Sequence, residues 1–420
     1  MGLLMAAGLA GGTHLSYTIE EYTELQNSLL GNYSSKIRPI KNQGQSLQME
    51  ASLWISSIND VSAVDQKMIT TAYLNIEWTD ELLTWDSTST GIYWMQINQK
   101  DIWMPDIVLK NGFSAFKALG GDFYYNFVDY DGTIHWYPYT VFESICDIDV
   151  SFYPFDTQTC DIIFTSWSYT RWEINLTVPT ASNIGFYEFV PNSVWEVVST
   201  DASHDLTSSD NDIKFTINLK RKPLYYIMTL VLPIVFLGIL NLLVFIIPAD
   251  AGEKMGFAVT IFLTFAVFLT IVSGELPINS DSVSILSIYL IIKLAMGIFV
   301  LLVTSIQLRL HHRGAEHTIG KVFRFIVRVE RGVECDGRPK CWNAGCLSGK
   351  CGTNTRITQV QVEEKYARDD VKTEEEKNDK EEEEMTWSDV SSAIDFVSFW
   401  TLLLFEFVVT TVVFTYASVN

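Results

Sequence analysis

Positive charge is scarce in this sequence. The chain carries 29 lysines and arginines against 50 aspartates and glutamates, so its formal net charge is −21. Proteins that bind nucleic acid need cations to neutralise phosphates, so this balance argues against a nucleic-acid partner. An acidic surface attracts small cations instead.

Catalytic constellations are also missing. The sequence shows no Ser-His-Asp set, no phosphate-binding loop and no paired carboxylates at a spacing that indicates acid–base chemistry. We therefore predict that the protein is not an enzyme and has no cofactor.

Cysteine is rare in the N-terminal half, where Cys146 and Cys160 are the only two. They enclose the acidic and aromatic stretch CDIDVSFYPFDTQTC. Outside the cell the two would form a disulfide, which for a loop of about fifteen residues is worth roughly 3 kcal/mol. Two buried free thiols are the alternative.

The remaining cysteines cluster late in the chain, at Cys335, Cys341, Cys346 and Cys351. Four such residues could bind zinc, but their spacing lacks CxxC pairs. Reduced thiols or lipid attachment fit the spacing better, so we predict no metal site.

Long apolar runs are abundant and cover residues 224–247, 255–273, 284–307 and 394–417. Each run is long enough to cross a hydrocarbon core of ~30 Å as a helix. The sequence therefore predicts a multi-pass protein in contact with membrane lipids.

These runs divide the chain into parts. Residues 17–30 have helical spacing, and 45–220 contain short alternating segments separated by turns such as Asp131-Gly132, which is typical of an all-β sandwich. We predict a ligand-binding β-sandwich domain over 1–222, three membrane helices over 223–308, a polar intracellular loop over 309–393 with a helix that precedes the fourth span, and a fourth membrane helix over 394–420. Within the loop, the charged tract 361–385 is either a solvated helix or a disordered segment.

The orientation signals conflict. Basic residues after the third run predict that the polar loop is cytoplasmic, whereas the basic residues at 220–222 argue the opposite. The glycosylation acceptors Asn32 and Asn175 both lie in the N-terminal domain and favour an outside location for it. We predict a plasma-membrane protein with both termini outside, in which MGLLMAAGLAGG is the remnant of a signal peptide.

Several motifs resemble one known family. They are IWMPDIVL (102–109), the paired cysteines around FYPFD, SWSY (166–169), KPLYYIMTLVLP (222–233), GEKM (252–255) and LHHRG (310–314). In this order, with four spans, they resemble subunits of the Cys-loop receptors, and nicotinic acetylcholine receptors in particular. We expect an orphan invertebrate member, such as one from an annelid worm.

The resemblance implies five subunits around a pore, in a homopentamer or a heteropentamer, with agonist sites between subunits. It also implies that the cysteine loop couples the sandwich to the membrane helices. Phe152, Pro154 and Phe155 would press on helix ends, residues 274–283 would be the other contact, and Asp156 would pair with Arg221. Ser284 replaces a proline that many nicotinic subunits carry at this contact.

The second apolar run contains a stripe without aromatic rings. Its members step by three and four residues: Gly256, Thr260, Leu263, Val267, Thr270 and Gly274. The stripe could be a helix-packing face, but the resemblance implies a pore lining. Leu263 and Val267 would then form a constriction that gates by dewetting, Glu253 would make a ring that favours cations at the inner mouth, and Lys254 would point away from the axis.

The ligand site departs from its relatives. The resemblance places Trp167, Tyr73, His135 and Tyr137 at contacts to a cationic ligand, which aromatic faces attract. Lys110, however, stands where a tyrosine is usual, and the segment 197–213 contains no Tyr, Trp, Phe or Cys. We therefore predict weak or absent acetylcholine binding and leave the small-molecule agonist unidentified.

Two charges fall near the middle of the bilayer, Lys293 in the third run and Glu406 in the fourth. An isolated charge at that depth costs at least ~3 kcal/mol. We predict that the two form a buried pair that docks the fourth helix. In the alternative, Glu406 is protonated or faces lipid while Lys293 extends toward the interface.

Three functional classes remain: a ligand-gated cation channel, a channel subunit without its own agonist site, and a receptor or adhesion protein that does not conduct. The second class would act in heteropentamers or respond to a signal other than a neurotransmitter. The ring-free stripe with Glu253 argues against the third class.

Overall fold

The computed structural model describes residues 17–179, 184–204, 211–249, 252–277, 283–314, 318–336 and 386–419. The chain divides into two compact units. The sandwich unit comprises Met1–Tyr226 with Ser273–Ser284, and the helical unit comprises Ile227–Val272 with Ile285–Asn420. The predictions for residues 1–12, for the tract 361–385 and for the four late cysteines concern side chains outside the described part.

In its described residues, the sandwich unit has twelve strands. They are β1 (Leu47–Ser62), β2 (Lys67–Thr79), β3 (Trp94–Asn98), β4 (Ile107–Leu109), β5 (Tyr125–Asp129), β6 (Thr133–Trp136), β7 (Tyr139–Ile145), β8 (Thr157–Ser166), β9 (Ile174–Thr177), β10 (Gly185–Val190), β11 (Trp195–His204) and β12 (Asp212–Arg221). Two short helices accompany them, α1 (Ile19–Leu30) and α2 (Ser87–Thr90).

Two sheets face each other. The larger has the order β10-β1-β2-β6-β5-β3, with β7 also paired to β2 and β9 to β1, and the smaller has the order β11-β12-β8-β4. Along β2 every second residue from Met68 to Trp78 is buried. Because side chains alternate between the faces of a strand, this pattern gives each sheet one apolar face. The predicted all-β sandwich is confirmed.

Local signals in the sequence explain the ends of several elements. Helix α1 starts with a capping box, in which Thr18 and Glu21 each accept from the other's backbone N–H. The turn between β5 and β6 holds Gly132 at φ 88°. A side chain there would run into the backbone oxygen of Asp80, so only glycine fits.

Among the described residues, four helices are long and apolar enough to cross a membrane: α3 (Leu224–Ile246), α4 (Lys254–Gly274), α5 (Ile285–His311) and α7 (Trp387–Val419), of which Trp387–Ala417 is the candidate span. Helix α3 begins within the sandwich unit and has a π-helical turn at Ile227–Val231, just before Pro233, which cannot donate a backbone hydrogen bond.

Helix α6 (Lys321–Asp336) lies in the predicted polar loop. Helix α7 begins at Trp387, earlier than the predicted boundary at 394, because its first turns are apolar on one face. Trp387, Val390 and Ala393 are buried in a cluster with Leu310 and Val327. The added turns therefore pack instead of extending into solvent.

Candidate functional sites

Trp167 lies at the end of β8 on a loop that Asp106 holds in place. The Asp106 carboxylate accepts from Ser166 Oγ and from the Ser168 N–H, each at 2.6 Å. Trp167 is 64% exposed, and its ring lies 4.7 Å from that of Phe116. Both rings line a cleft of about 370 Å³. The role of Asp106 was missed, although it stands inside the motif IWMPDIVL.

The positive charge of Lys110 is paired with a carboxylate. Its ammonium forms an ion pair with the carboxylate of Asp212, at the start of β12. The expected repulsion of an ammonium ligand is therefore reduced by a neighbouring negative charge. Sequence reasoning missed Asp212 because it is a partner across the sheet, 102 residues away.

Tyr73 is the centre of an aromatic cluster on the larger sheet. Its ring stacks on Trp54 at 6.1 Å and meets the edges of Tyr137 at 6.0 Å and Tyr187 at 5.8 Å. Burial raises the pKa of Tyr137 to about 12, so its hydroxyl stays neutral. Tyr187 was missed, since β10 reaches this position through parallel pairing with β1, which local sequence does not reveal.

His135 lies between two carboxylates beside this cluster. Its Nδ1 is 3.4 Å from Glu77 and its Nε2 is 3.3 Å from Asp129. The contact with Glu77 is the main reason that the pKa of His135 is raised above its ordinary 6.5, while burial opposes it. The same contact lowers the pKa of Glu77. The pair is thus charged over a wider pH range than two isolated residues.

The predicted ligand-contact residues therefore form two separate clusters. Trp167 and Lys110 belong to the smaller sheet with β8 and β4, while Tyr73, His135 and Tyr137 belong to the larger one. Such a division suits a site between copies of the chain. Residues 205–210, in the middle of the segment 197–213 that lacks Tyr, Trp, Phe and Cys, lie outside the described residues.

Cys146 and Cys160 are joined by a disulfide, with Cα atoms 5.1 Å apart. The alternative of two free thiols is thereby removed. Inside the loop, Gln158 donates to Asp156 Oδ2 at 2.6 Å and to the Asp149 backbone oxygen at 2.7 Å. The loop is therefore tied to itself by polar contacts as well as by the covalent bond.

Asp156 and Arg221 form the predicted pair. Two hydrogen bonds of 2.7 and 3.0 Å join them, and their side chains are only 2% and 5% exposed. The Arg221 guanidinium also lies over the rings of Trp195 at 4.2 Å, Tyr153 at 5.0 Å and Tyr226 at 5.3 Å. This cage was not anticipated, because two of its rings, Tyr153 and Trp195, come from segments distant from Arg221 in the sequence.

The other members of the loop take different positions. Pro154 is buried behind a cis peptide bond, while Phe152 and Phe155 are partly exposed. Burial raises the pKa of Tyr153, and the negative charge of Glu275 contributes to the increase. Contact of Phe152 and Phe155 with membrane helices stays a prediction, and part of the segment 274–283 lies outside the described residues.

The stripe of α4 is exposed along its whole length in the chain. All six members are exposed, with Leu263 and Val267 at 56% each. The opposite face is buried, through Lys254, Ala258, Ile261, Phe265 and Val272. Phe257, Phe262 and Phe268 are partly buried off the stripe, and Gly297 of α5 makes room for Phe262. At the N-terminal end of α4, Glu253 is exposed and Lys254 is buried.

Lys293 and Glu406 lie against each other in the helical unit, with side chains 1% and 9% exposed. The Lys293 ammonium also lies 4.6 Å from the Tyr289 ring. Gly238 of α3 provides the room, since a Cβ there would run into the Glu406 carboxylate. The pair therefore brings together three helices, α3, α5 and α7, and its role in docking α7 stays a prediction.

The two glycosylation acceptors differ in accessibility. Asn32 is exposed, whereas Asn175 is partly buried in β9 and donates to Gln48 Oε1 at 2.6 Å. In the part of the chain that the structure describes, no three His, Cys, Asp or Glu side chains are grouped as metal ligands.

Two models of one family match the chain. The neurotransmitter-gated ion-channel ligand binding domain matches residues 22–223, and the neurotransmitter-gated ion-channel transmembrane region matches residues 230–330. The first range covers the sandwich, and the second covers most of α3, all of α4 and α5, and most of α6.

Relatives agree with the family models. The chain is 31% identical over 326 residues to the acetylcholine receptor subunit beta-type lev-1 of Caenorhabditis elegans, across 72% of this chain and 63% of that protein. It is 32% identical over 307 residues to the neuronal acetylcholine receptor subunit alpha-6 of Rattus norvegicus, across 71% and 62%. It is 34% identical over 304 residues to subunit beta-4 of Gallus gallus, across 70% and 64%.

The matched region spans less than two thirds of the length of these relatives. An annelid source stays a prediction. The sandwich with its disulfide loop, the four apolar helices and these matches lead to one conclusion: the chain belongs to the neurotransmitter-gated ion channels, a family of ligand-gated channels related to nicotinic receptor subunits and not a family of enzymes.

Proposed function

We propose that this chain is a subunit of a pentameric ligand-gated channel that conducts cations through a pore lined by α4. The observation that carries the proposal is the two-sided character of α4. One face is exposed and lacks aromatic rings, and the other is buried against neighbouring helices. A face that is apolar and hydroxyl-lined, yet not covered by any described residue of its own chain, suits an axis shared by several subunits.

Selectivity would come from Glu253, which is exposed at the inner end of the stripe. A ring of carboxylates attracts cations and repels anions at a narrow mouth. Higher in the stripe, Leu263 and Val267 would close the pore to water in the resting state. Thr260 and Thr270 donate to backbone oxygens of their own helix, which leaves hydroxyl oxygens as acceptors along the pathway.

The agonist would bind between subunits, with the Trp167 cluster on one side and the Tyr73 cluster on the other. Acetylcholine should activate weakly or not at all. Lys110 stands where a tyrosine is usual, and the segment 197–213 brings no Tyr, Trp or Phe ring to the site. Because each cation–π contact contributes ~0.5–2 kcal/mol, losing two costs roughly fivefold to a thousandfold in affinity.

A second candidate is a channel subunit that binds no agonist at its own Trp167 cluster. It is favoured by the contact between Phe116 and Trp167, which covers part of the ring that a ligand would use. Such a subunit would supply the Tyr73 cluster to a partner subunit in a heteropentamer, or would respond to a signal other than a neurotransmitter.

The proposed location is the plasma membrane, with the sandwich and both termini outside. The acceptors Asn32 and Asn175 in the sandwich and the basic residues that follow α5 support this orientation.

Expression of the chain alone separates the candidates. Cells would be screened for current with small amines, amino acids and pH steps, and each active condition repeated in diluted salt. We expect a current whose reversal potential follows the cation gradient. A micromolar acetylcholine response would contradict the agonist proposal, a chloride-following potential would contradict the selectivity proposal, and current that needs a second subunit would favour the second candidate.

A further inference from the structure

A second buried charge pair lies at the inner end of the pore helix. Lys254, the first residue of α4, has a side chain that is 0% exposed. Its ammonium lies 2.6 and 2.7 Å from the two carboxylate oxygens of Asp395, on α7. The pair thus joins the pore helix directly to the fourth membrane helix.

Neighbouring groups hold Asp395 in this position. The side-chain amide of Gln307 on α5 donates to Asp395 Oδ2 and, at 3.2 Å, to the backbone oxygen of Ser391 one turn earlier on α7. Gln307 is fully buried. The carboxylate therefore has hydrogen-bond partners on two helices, α4 and α5, and little freedom to turn away.

Helix geometry links this pair to Glu253. Successive residues on an α-helix are about 100° apart around the axis. Lys254 starts the buried face that continues through Ala258 and Ile261. Glu253 precedes it by one residue, so it falls on the side of Gly256 and Thr260, which are exposed. Holding Lys254 inside the bundle therefore orients Glu253 toward the exposed stripe.

We propose that Asp395 is a remote determinant of ion selectivity. By pairing with Lys254, it keeps one ammonium per subunit away from the permeation path and fixes the direction of the neighbouring carboxylate. The inference rests on the proposed function, because it assumes that Glu253 faces a cation pathway. Without Asp395, an unpaired ammonium in the bundle is strongly unfavourable, and a flexible lysine would extend toward the nearest water, at the inner mouth.

The test compares Asp395→Asn with its parent in a Leu263→Ser background. The serine hydroxyl wets the constriction, so that channels open without a known agonist. We expect Asp395→Asn to lower the sodium-to-chloride permeability ratio at least about threefold and to reduce single-channel conductance. The double variant Lys254→Gln/Asp395→Asn should restore both, since no ammonium remains. Asp389→Asn, which removes a carboxylate near the start of the same helix, should leave both near the parent values.

The outcomes separate the two proposals. The parent channel reports on the proposed function, expressed alone or with a second subunit where its current needs one. A parent that carries no current under either condition, or whose current follows chloride, overturns both proposals. If the parent is cation-selective, an unchanged sodium-to-chloride permeability ratio and an unchanged conductance in Asp395→Asn overturn only the role of Asp395. The same conclusion follows if the double variant shows the same loss of selectivity and conductance as Asp395→Asn. If Asp395→Asn does not assemble alone, mixed pentamers with excess parent chain should show graded lower conductance levels, and parent-like levels only would contradict the inference.

Discussion

The buried pairs Asp156–Arg221 and Lys293–Glu406 lie in different units and differ in what surrounds them. Asp156–Arg221 has two hydrogen bonds, a further donor from Gln158 and three aromatic rings around the guanidinium. Lys293–Glu406 has a single close contact, one ring and a weak contact of 3.5 Å from Lys293 to Thr410.

The number of polar and aromatic partners determines which pair can be replaced by apolar residues. Apolar substitution of both Asp156 and Arg221 would leave one N–H of the Gln158 amide without its acceptor and empty an aromatic cage, so it should not restore stability. Substitution of both Lys293 and Glu406 removes two charges from an apolar bundle and leaves few neighbouring groups without a hydrogen-bond partner. Such a replacement is often tolerated.

The largest expected effect is loss of Arg221. Arg221→Leu should destabilise the protein by about 3–5 kcal/mol, because it leaves the Asp156 carboxylate buried and unpaired. Surface expression and thermal unfolding of the purified receptor measure this. Lys220→Gln, which alters the exposed basic neighbour, serves as the control and should have little effect. Recovery in an Asp156→Leu/Arg221→Leu double variant would remove the distinction drawn between the two pairs.

The second effect concerns the membrane pair. Lys293→Leu and Glu406→Leu should each cost about 3 kcal/mol, since each leaves a single charge near the bilayer centre. The double variant should recover much of the loss in melting temperature. If the two single effects simply add in the double variant, the residues do not interact energetically and the pairing has no role in docking α7.

A smaller effect should follow from filling the space beside this pair. Gly238→Ala adds a Cβ against the Glu406 carboxylate, and such overpacking costs typically about 1–3 kcal/mol. Gly256→Ala is the matched control, because its Cβ would meet nothing within 4 Å. Equal melting temperatures for the two variants would show that α3 does not contact the pair as closely as described.

The smallest effect is the pH dependence of His135. Its raised pKa adds stability that is fully present below 6.5 and is lost as pH rises through the raised value. The lowered pKa of Glu77 adds stability above 4.5 that is lost as pH falls through the lowered value. Asp129 and the Tyr137 ring also lie beside His135.

The pair should therefore stabilise most between pH 4.5 and 6.5, by about 1 kcal/mol or less because both groups are partly exposed. His135→Gln should lower the melting temperature in this window and lose its effect at higher pH, whereas His204→Gln should change little at any pH. A His135→Gln effect that grows toward high pH would contradict the assignment.

Much of the fold and some site contacts could be predicted from the sequence. Apolar runs, strand alternation and turn residues are local signals, so they gave the sandwich, the spans and the stripe on α4. Lys293 could be paired with Glu406 because a charge in an apolar setting requires a partner, whereas the pairing of Asp156 with Arg221 followed from the family resemblance. Asp212, Tyr187, Trp195 and Asp395 could not be found in this way. Each reaches its site through long-range pairing or packing, and nothing in its own segment marks it.

The most direct test of the account is the reversal potential of Leu263→Ser channels with and without Glu253→Gln. In diluted salt, the reversal potential of Leu263→Ser channels that retain Glu253 should follow the cation gradient. The added Glu253→Gln substitution should move the reversal potential toward the chloride value. A reversal potential that follows chloride in the presence of Glu253, or one that Glu253→Gln does not change, would contradict the claim that the exposed stripe of α4 ends in a cation-selective mouth.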